Sequence, residues 1–130
     1  MIVRDLHKIK GTEREVSDAR WTSVRMLLAD DKMGFSFHIT TLEAGSEHTF
    51  EYKNHFESVY CMSGKGSITD LATGETHEIT PGVMYALNLN DKHTLRAEEE
   101  LHMACCFNPP VTGNEVHRED GSYAPAEEVA

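Results

Sequence analysis

A chain of 130 residues with 39% hydrophobic and 26% charged side chains is long enough for one domain with a real core. Its 22 acidic residues against 12 basic ones give a formal charge of -10, which repels nucleic-acid phosphates and anionic lipid and argues against both as partners. No apolar run approaches the roughly 20 residues of a membrane-spanning helix, and Met1 to Lys8 lacks the apolar stretch of a signal peptide, so the expected location is the cytoplasm.

In chain order, Glu13 to Asp18 is the one stretch expected to form a helical turn, and no long 3.6-residue period occurs anywhere. Trp21 and Arg25 share one face of the next strand, where they suit a clamp for a carboxylate, although Trp21 also reads as core. Asp30 to Gly34 is a turn, and Phe35 to Leu42 alternates Phe35, Phe37 and Ile39 against Ser36, His38 and Thr40. The polar face of that strand is expected to be solvated. Further strands are expected over Ser58 to Ser63, Ser67 to Leu71, Thr76 to Thr80, Val83 to Leu89, His93 to Ala97 and Leu101 to Phe107, parted by turns rich in Gly, Pro, Asn and Asp. Many short strands with frequent turns predict an all-β sandwich or barrel. Cys61, Cys105 and Cys106 are an odd set with two adjacent members, so no disulfide framework is expected. The barrel domain is expected over residues 1–117, with a polar, acidic tail over 118–130 that reads as a frayed end or as a lid.

Strand parity then selects a site. Glu57 alternates in phase with Val59 and Cys61, Tyr85 with Val83, Leu87 and Leu89, and His93 with Leu95 and Ala97. Phe107 goes with Leu101, Met103 and Cys105. Those apolar sets should point inward and carry Glu57, Tyr85 and His93 with them. Buried carboxylates and imidazoles are costly unless paired or bound to metal. Two oxygens and one nitrogen suit iron(II), manganese or zinc, and a metal-free hydrogen-bonded cluster remains the alternative. His7, His77 and His102 read as surface or structural residues, and His55 as lying behind Glu57 or on the other face.

The spacing from Glu57 to Gly64 resembles the end of the first cupin motif, and Gly82, Asn88, Asn90 and His93 resemble the second. Asn88 stands where proline is usual and Asn90 where glycine is usual. Phe50 to Lys53 lacks the two histidines that metal-binding cupins carry there, which excludes the four-ligand cupin site.

The segment Cys105-Cys106-Phe107-Asn108-Pro109-Pro110-Val111-Thr112-Gly113-Asn114-Glu115-Val116-His117, continued by Arg118 to Tyr123, resembles the ectoine synthase family. So do Met1 to Arg4, Tyr52 to Glu57 and Val59 to Cys61. The resemblance implies a cupin-type jelly-roll barrel, a homodimer and iron(II) as cofactor. It implies closure of N-gamma-acetyl-L-2,4-diaminobutanoate into the cyclic amidine ectoine with loss of water, as a hydro-lyase serving osmotic stress. The family's metal ligands map onto Glu57, Tyr85 and His93. Its substrate-pocket residues map onto Trp21, Arg25, Thr40, Tyr52, Cys105, Phe107, Glu115 and His117. Glu115, His117 and Tyr52 are the acid–base candidates, and Arg25 the expected grip on the substrate carboxylate. For Thr40 to face inward, Phe35, Phe37 and Ile39 must pack against another subunit or an outer layer. An iron cupin oxygenase, which would need oxygen, and a non-catalytic cupin that only binds a small molecule are the rival readings.

Overall fold

The computed structural model describes residues 1–114. Glu115, His117 and the 118–130 segment lie outside the described residues. A four-residue helix, α1 (Leu6–Ile9), opens the chain, its first turn capped by the Asp5 carboxylate, which accepts from the His7 amide at 2.8 Å. Ten strands follow: β1 (Glu15–Asp18), β2 (Trp21–Leu27), β3 (Ser36–Leu42), β4 (Glu47–Phe50), β5 (Phe56–Ser63), β6 (Gly66–Asp70), β7 (Thr76–Ile79), β8 (Met84–Leu87), β9 (His93–Ala97) and β10 (Leu101–Asn108).

They build two antiparallel sheets, one in the order β1-β2-β3-β10-β5-β8 and one in the order β4-β9-β6-β7. Their apolar inner faces supply one core, with Leu42, Val59, Leu101, Met103 and Phe107 from the larger sheet and Ile68, Ile79, Leu95 and Ala97 from the smaller. This is the all-β, cupin-type jelly roll expected. β5 reads buried at Glu57, Val59 and Cys61 and exposed between them, and β10 buries Leu101, Met103, Cys105 and Phe107. Two-residue alternation therefore carries the site residues inward with the core, as parity requires.

The loop from β5 to β6 needs its glycines for want of space. Gly64 has φ +97°, and a Cβ there would run into the Glu100 carbonyl, while one on Gly66 would meet the Arg96 carbonyl. Both clashes are with backbone, at Arg96 in β9 and at Glu100 immediately before β10, so neither can relax cheaply.

Three expectations need correction. Residues Glu15–Asp18 are a strand and not a helical turn, because pairing of Glu15 with Val24 and Asp18 with Trp21 gives the segment a partner no isolated turn has. β8 ends at Leu87, so Leu89 leaves the inward series and is exposed. The polar face of β3 is buried. Ser36 and His38 are at most 1% exposed, while Phe37 and Ile39 sit half-buried on the outer side. The burial is tolerated because the serine and histidine are hydrogen-bonded to one another and to neighbours.

Candidate active site

Between the sheets lies a cavity with about 490 Å³ of empty space, part of it open to solvent. Trp21 and Ser23 from β2 and His38 and Thr40 from β3 line one side, Cys105, Phe107 and Glu57 the middle, and Tyr85, His93 and Tyr52 the other. The walls are mostly apolar with a few convergent polar groups, the usual make-up of a small-molecule site.

Glu57, Tyr85 and His93 come together here. Glu57 pairs across β5 and β8 with Leu87, and Val59 with Tyr85, so Glu57 and Tyr85 are diagonal neighbours on one face. His93 approaches from the opposite sheet, its ring 6.4 Å from that of Tyr85. Its Nδ1 lies 2.9 Å from the Asp91 carbonyl, which can only accept, so the proton sits on Nδ1 and Nε2 keeps a lone pair. Burial also lowers the pKa of His93, favouring the neutral ring. Burial drives the Glu57 carboxyl up to about 8, opposed by its hydrogen bond with Cys105. Burial and then the Glu57 charge raise the Tyr85 phenol well above its usual value. Two oxygen acids thus share a buried corner with a neutral imidazole, with no cationic side chain beside them among the described residues lining the cavity, an arrangement that a divalent ion would stabilise. No three His, Cys, Asp or Glu side chains converge among the described residues; beside Glu57 and His93, the Tyr85 phenol is a further oxygen group lining this side of the cavity.

The buried face of β3 supports a second polar group. His38 Nδ1 meets Ser23 Oγ at 3.3 Å and its Nε2 meets Ser36 Oγ at 3.0 Å. Arg25 Nε donates to Ser23 Oγ at 3.2 Å, and the Val111 amide donates to Ser36 Oγ at 3.0 Å. The histidine thus ties β2 and β3 to the loop leaving β10. Burial, then the Arg25 charge, lowers its pKa from 6.5 to about 3. The unfolded chain therefore binds a proton in that window that the folded one refuses, so stability is full above pH 6.5 and falls as pH drops toward 3. The expected loss from this group by pH 4 is about 3 kcal/mol. Urea unfolding from pH 7 to pH 4 checks it: the acid loss should shrink by that amount in His38→Asn, and an unchanged slope would remove His38 as its source.

The other expected residues divide. Trp21, Thr40, Tyr52, Cys105 and Phe107 all line the cavity, with the Cys105 thiol donating to Thr40 Oγ1 at 3.6 Å. Phe107 is the central wall, its ring 5.1 Å from those of both His38 and Tyr52. Arg25 is buried but faces an adjoining pocket with Glu13, Arg14, Leu28 and residues Thr112 to Asn114. No carboxylate pairs with it among the described residues. His55 is buried and edge-on to Phe107. His7, His77 and His102 are exposed or half-exposed, as expected, and all three cysteines are free. Sequence reasoning missed Ser23, Ser36, His38 and Phe50 as site residues. The signal was present for two of them, since Ser36 and His38 share a face with Thr40.

The chain is similar to known proteins over nearly its whole length. A model of the ectoine synthase family matches residues 1–127. The L-ectoine synthase of Hyphomonas neptunium is 69% identical over 125 residues, spanning 95% of this chain and 93% of that one. The crystal structure of ectoine synthase from P. lautus matches with a TM-score of 0.88 at 50% identity, covering 93% of this chain and 87% of that one. The Cupin_2 domain of a transcriptional regulator from Enterobacter cloacae matches at 0.59 and 16% identity, over 71% of this chain and 99% of that one, a likeness of fold alone.

Proposed function

This chain belongs to the ectoine synthase family and has the family's hydro-lyase activity, and from that premise we propose that Glu57, Tyr85 and His93 hold a divalent metal, iron(II) first, at the floor of the reaction cavity. The reaction joins the α-amine of N-gamma-acetyl-L-2,4-diaminobutanoate to its own acetamide carbon and expels water, giving ectoine. The observation that supports the metal reading is the buried Glu57 carboxyl, enclosed with the Tyr85 phenol and the neutral His93 imidazole.

When bound, the ion would supply a Lewis acid for the acetamide oxygen. The chain's own residues do the rest. Attack within one molecule gains its rate from holding the substrate folded, and Trp21, Phe107 and Tyr52 wall a cavity that does so. The same apolar walls keep bulk water from a reaction that must release it. Tyr52, which lines the cavity, gives or takes a proton at the reacting nitrogen or oxygen in this reading, and Glu115 and His117 share that work. In this reading Arg25, which sits in the adjoining pocket and donates to Ser23 of the cavity wall at 3.2 Å, is the buried cation that meets the substrate carboxylate from behind that wall. The setting is the cytoplasm of a cell making a compatible solute under osmotic stress.

The test is turnover of that substrate by purified protein, followed by chromatography of ectoine without oxygen. Chelated protein should be inactive and protein resupplied with iron(II) active. Activity that survives chelation would discard the metal, and activity that needs oxygen would favour an oxygenase.

The active unit in this reading is a homodimer formed through the outer face of the larger sheet. Phe56, Tyr60 and Met84 are about half exposed there, and Tyr60 pairs with Met84 and with Ala104, which pairs with Ile39. Large exposed apolar side chains on one sheet face suit a self-complementary contact. Light scattering should give twice the 14.6 kDa chain mass, and the single-chain mass for a Tyr60→Glu, Met84→Glu variant. A single-chain mass for the parent protein would discard the dimer.

A further inference from the structure

We propose that Asn90 is a positioning residue for the ring closure, holding Tyr52 and His93 in one frame across the cavity; this rests on the activity assigned above. Asn90 has φ +55°, a left-handed conformation that glycine adopts at no cost and asparagine tolerates better than most residues. Conformation alone therefore calls for glycine at this place. What asparagine adds is its amide. Nδ2 donates to the Tyr52 carbonyl at 2.9 Å and to the His55 carbonyl at 3.1 Å. Both protons of one group are thus spent on the segment that carries Tyr52 and leads directly into Glu57.

The same loop governs His93. Asp91, the next residue, uses its carbonyl to hold His93 Nδ1 and its carboxylate to accept from the Leu89 amide at 3.2 Å. Two adjacent residues therefore fasten the two sides of the cavity, Asn90 the segment at 52–55 and Asp91 the imidazole. The Tyr52 and His93 rings stand 6.3 Å apart. Tyr52 also stacks on Phe50 at 5.9 Å and meets Phe107 edge-on; those contacts restrain its ring, whereas the Asn90 bond restrains its backbone. Displacements of about 1 Å in such a frame can cost orders of magnitude in rate.

The experiment compares Asn90→Gly and Asn90→Asp with the parent enzyme. Glycine keeps the left-handed backbone and removes the bridge, while aspartate keeps the shape and turns oxygens toward two carbonyls. The chain has four tyrosines, so 3-fluorotyrosine labelling gives a short fluorine spectrum. Tyr52→Phe and Tyr60→Phe identify two of its lines. In both Asn90 variants kcat should fall by roughly tenfold or more, with KM changed by less than about twofold. The Tyr52 line should move or broaden, while the Tyr60 line on the outer face stays put. Parent-like kcat with an unmoved Tyr52 line in Asn90→Gly would reduce Asn90 to a backbone role and overturn the proposal. Movement of every line together with a large drop in melting temperature in both variants would overturn it as well. If the parent protein makes no ectoine, the activity reading fails first, and the fluorine lines still decide whether Asn90 positions Tyr52.

Discussion

Glu57→Gln is expected to abolish turnover while leaving the barrel intact. In the metal-free protein the Glu57 carboxyl is pushed up to about 8 by burial, so at pH 7 it is largely uncharged and glutamine imitates it closely. The sign of the linkage follows. A carboxyl whose folded pKa lies above its unfolded value destabilises the fold as pH rises from about 4.5 through 8, and glutamine escapes that loss. At pH 9 the metal-free variant should therefore be more stable than the metal-free parent by about 2–4 kcal/mol. Function should move the other way. In the metal site proposed above, glutamine lacks the anionic oxygen, so iron(II) binding should weaken sharply and kcat/KM should drop by about a thousandfold or more. Denaturation at pH 7 and pH 9, iron titration and steady-state kinetics together read this opposition. Parent-like turnover in the glutamine variant would withdraw the ligand role and restore the metal-free hydrogen-bonded cluster.

Phe107→Ala is expected to damage both stability and rate. The ring is 3% exposed and touches the rings of His38, Tyr52 and His55, so its removal leaves a cavity beside three site residues. Truncations of this type cost about 3–5 kcal/mol. Phe107→Leu separates packing from geometry. It should recover most of the stability, to within about 1.5 kcal/mol of the parent. A branched aliphatic chain offers no flat wall for Tyr52, however, so kcat/KM should stay roughly tenfold below the parent. Chemical denaturation and kinetics on both variants check this. Full recovery of rate in the leucine variant would make Phe107 a filler and nothing more.

Much of the site was legible in the chain because its residues lie on strands with clean alternation. Glu57 follows Val59 and Cys61 inward, and His93 follows Leu95 and Ala97, so parity placed both correctly. β3 defeated the same argument. Phe37 and Ile39 face out and Ser36 and His38 face in, and within Phe35 to Leu42 only the shared face of Ser36, His38, Thr40 and Leu42 hints at the inversion. The inversion becomes sensible only with its partners from distant segments, Ser23 and Val111. β1 and β4 were missed for a related reason, since each has four residues and depends on pairing, with β2 and β9 respectively. Asn90 was noticed as an oddity of the motif, but its use of the carbonyls at 52 and 55 is a contact across 38 and 35 positions that no spacing reveals.

The inverted strand also gives the folding chain a competitor. Sliding β3 by one residue against β10, where Ala104 now faces Ile39 and Cys105 faces His38, would swing Phe37 and Ile39 into the barrel. That slipped form would bury Phe37 and Ile39 fully, turn Leu42 out of the core and fill the cavity between the sheets. Its disadvantage is a set of lost polar pairings: His38 between two hydroxyls, and the Ser36 hydroxyl on the Val111 amide. These few bonds act as a register lock on β3, and loosening them would favour a well-packed, inert misfold.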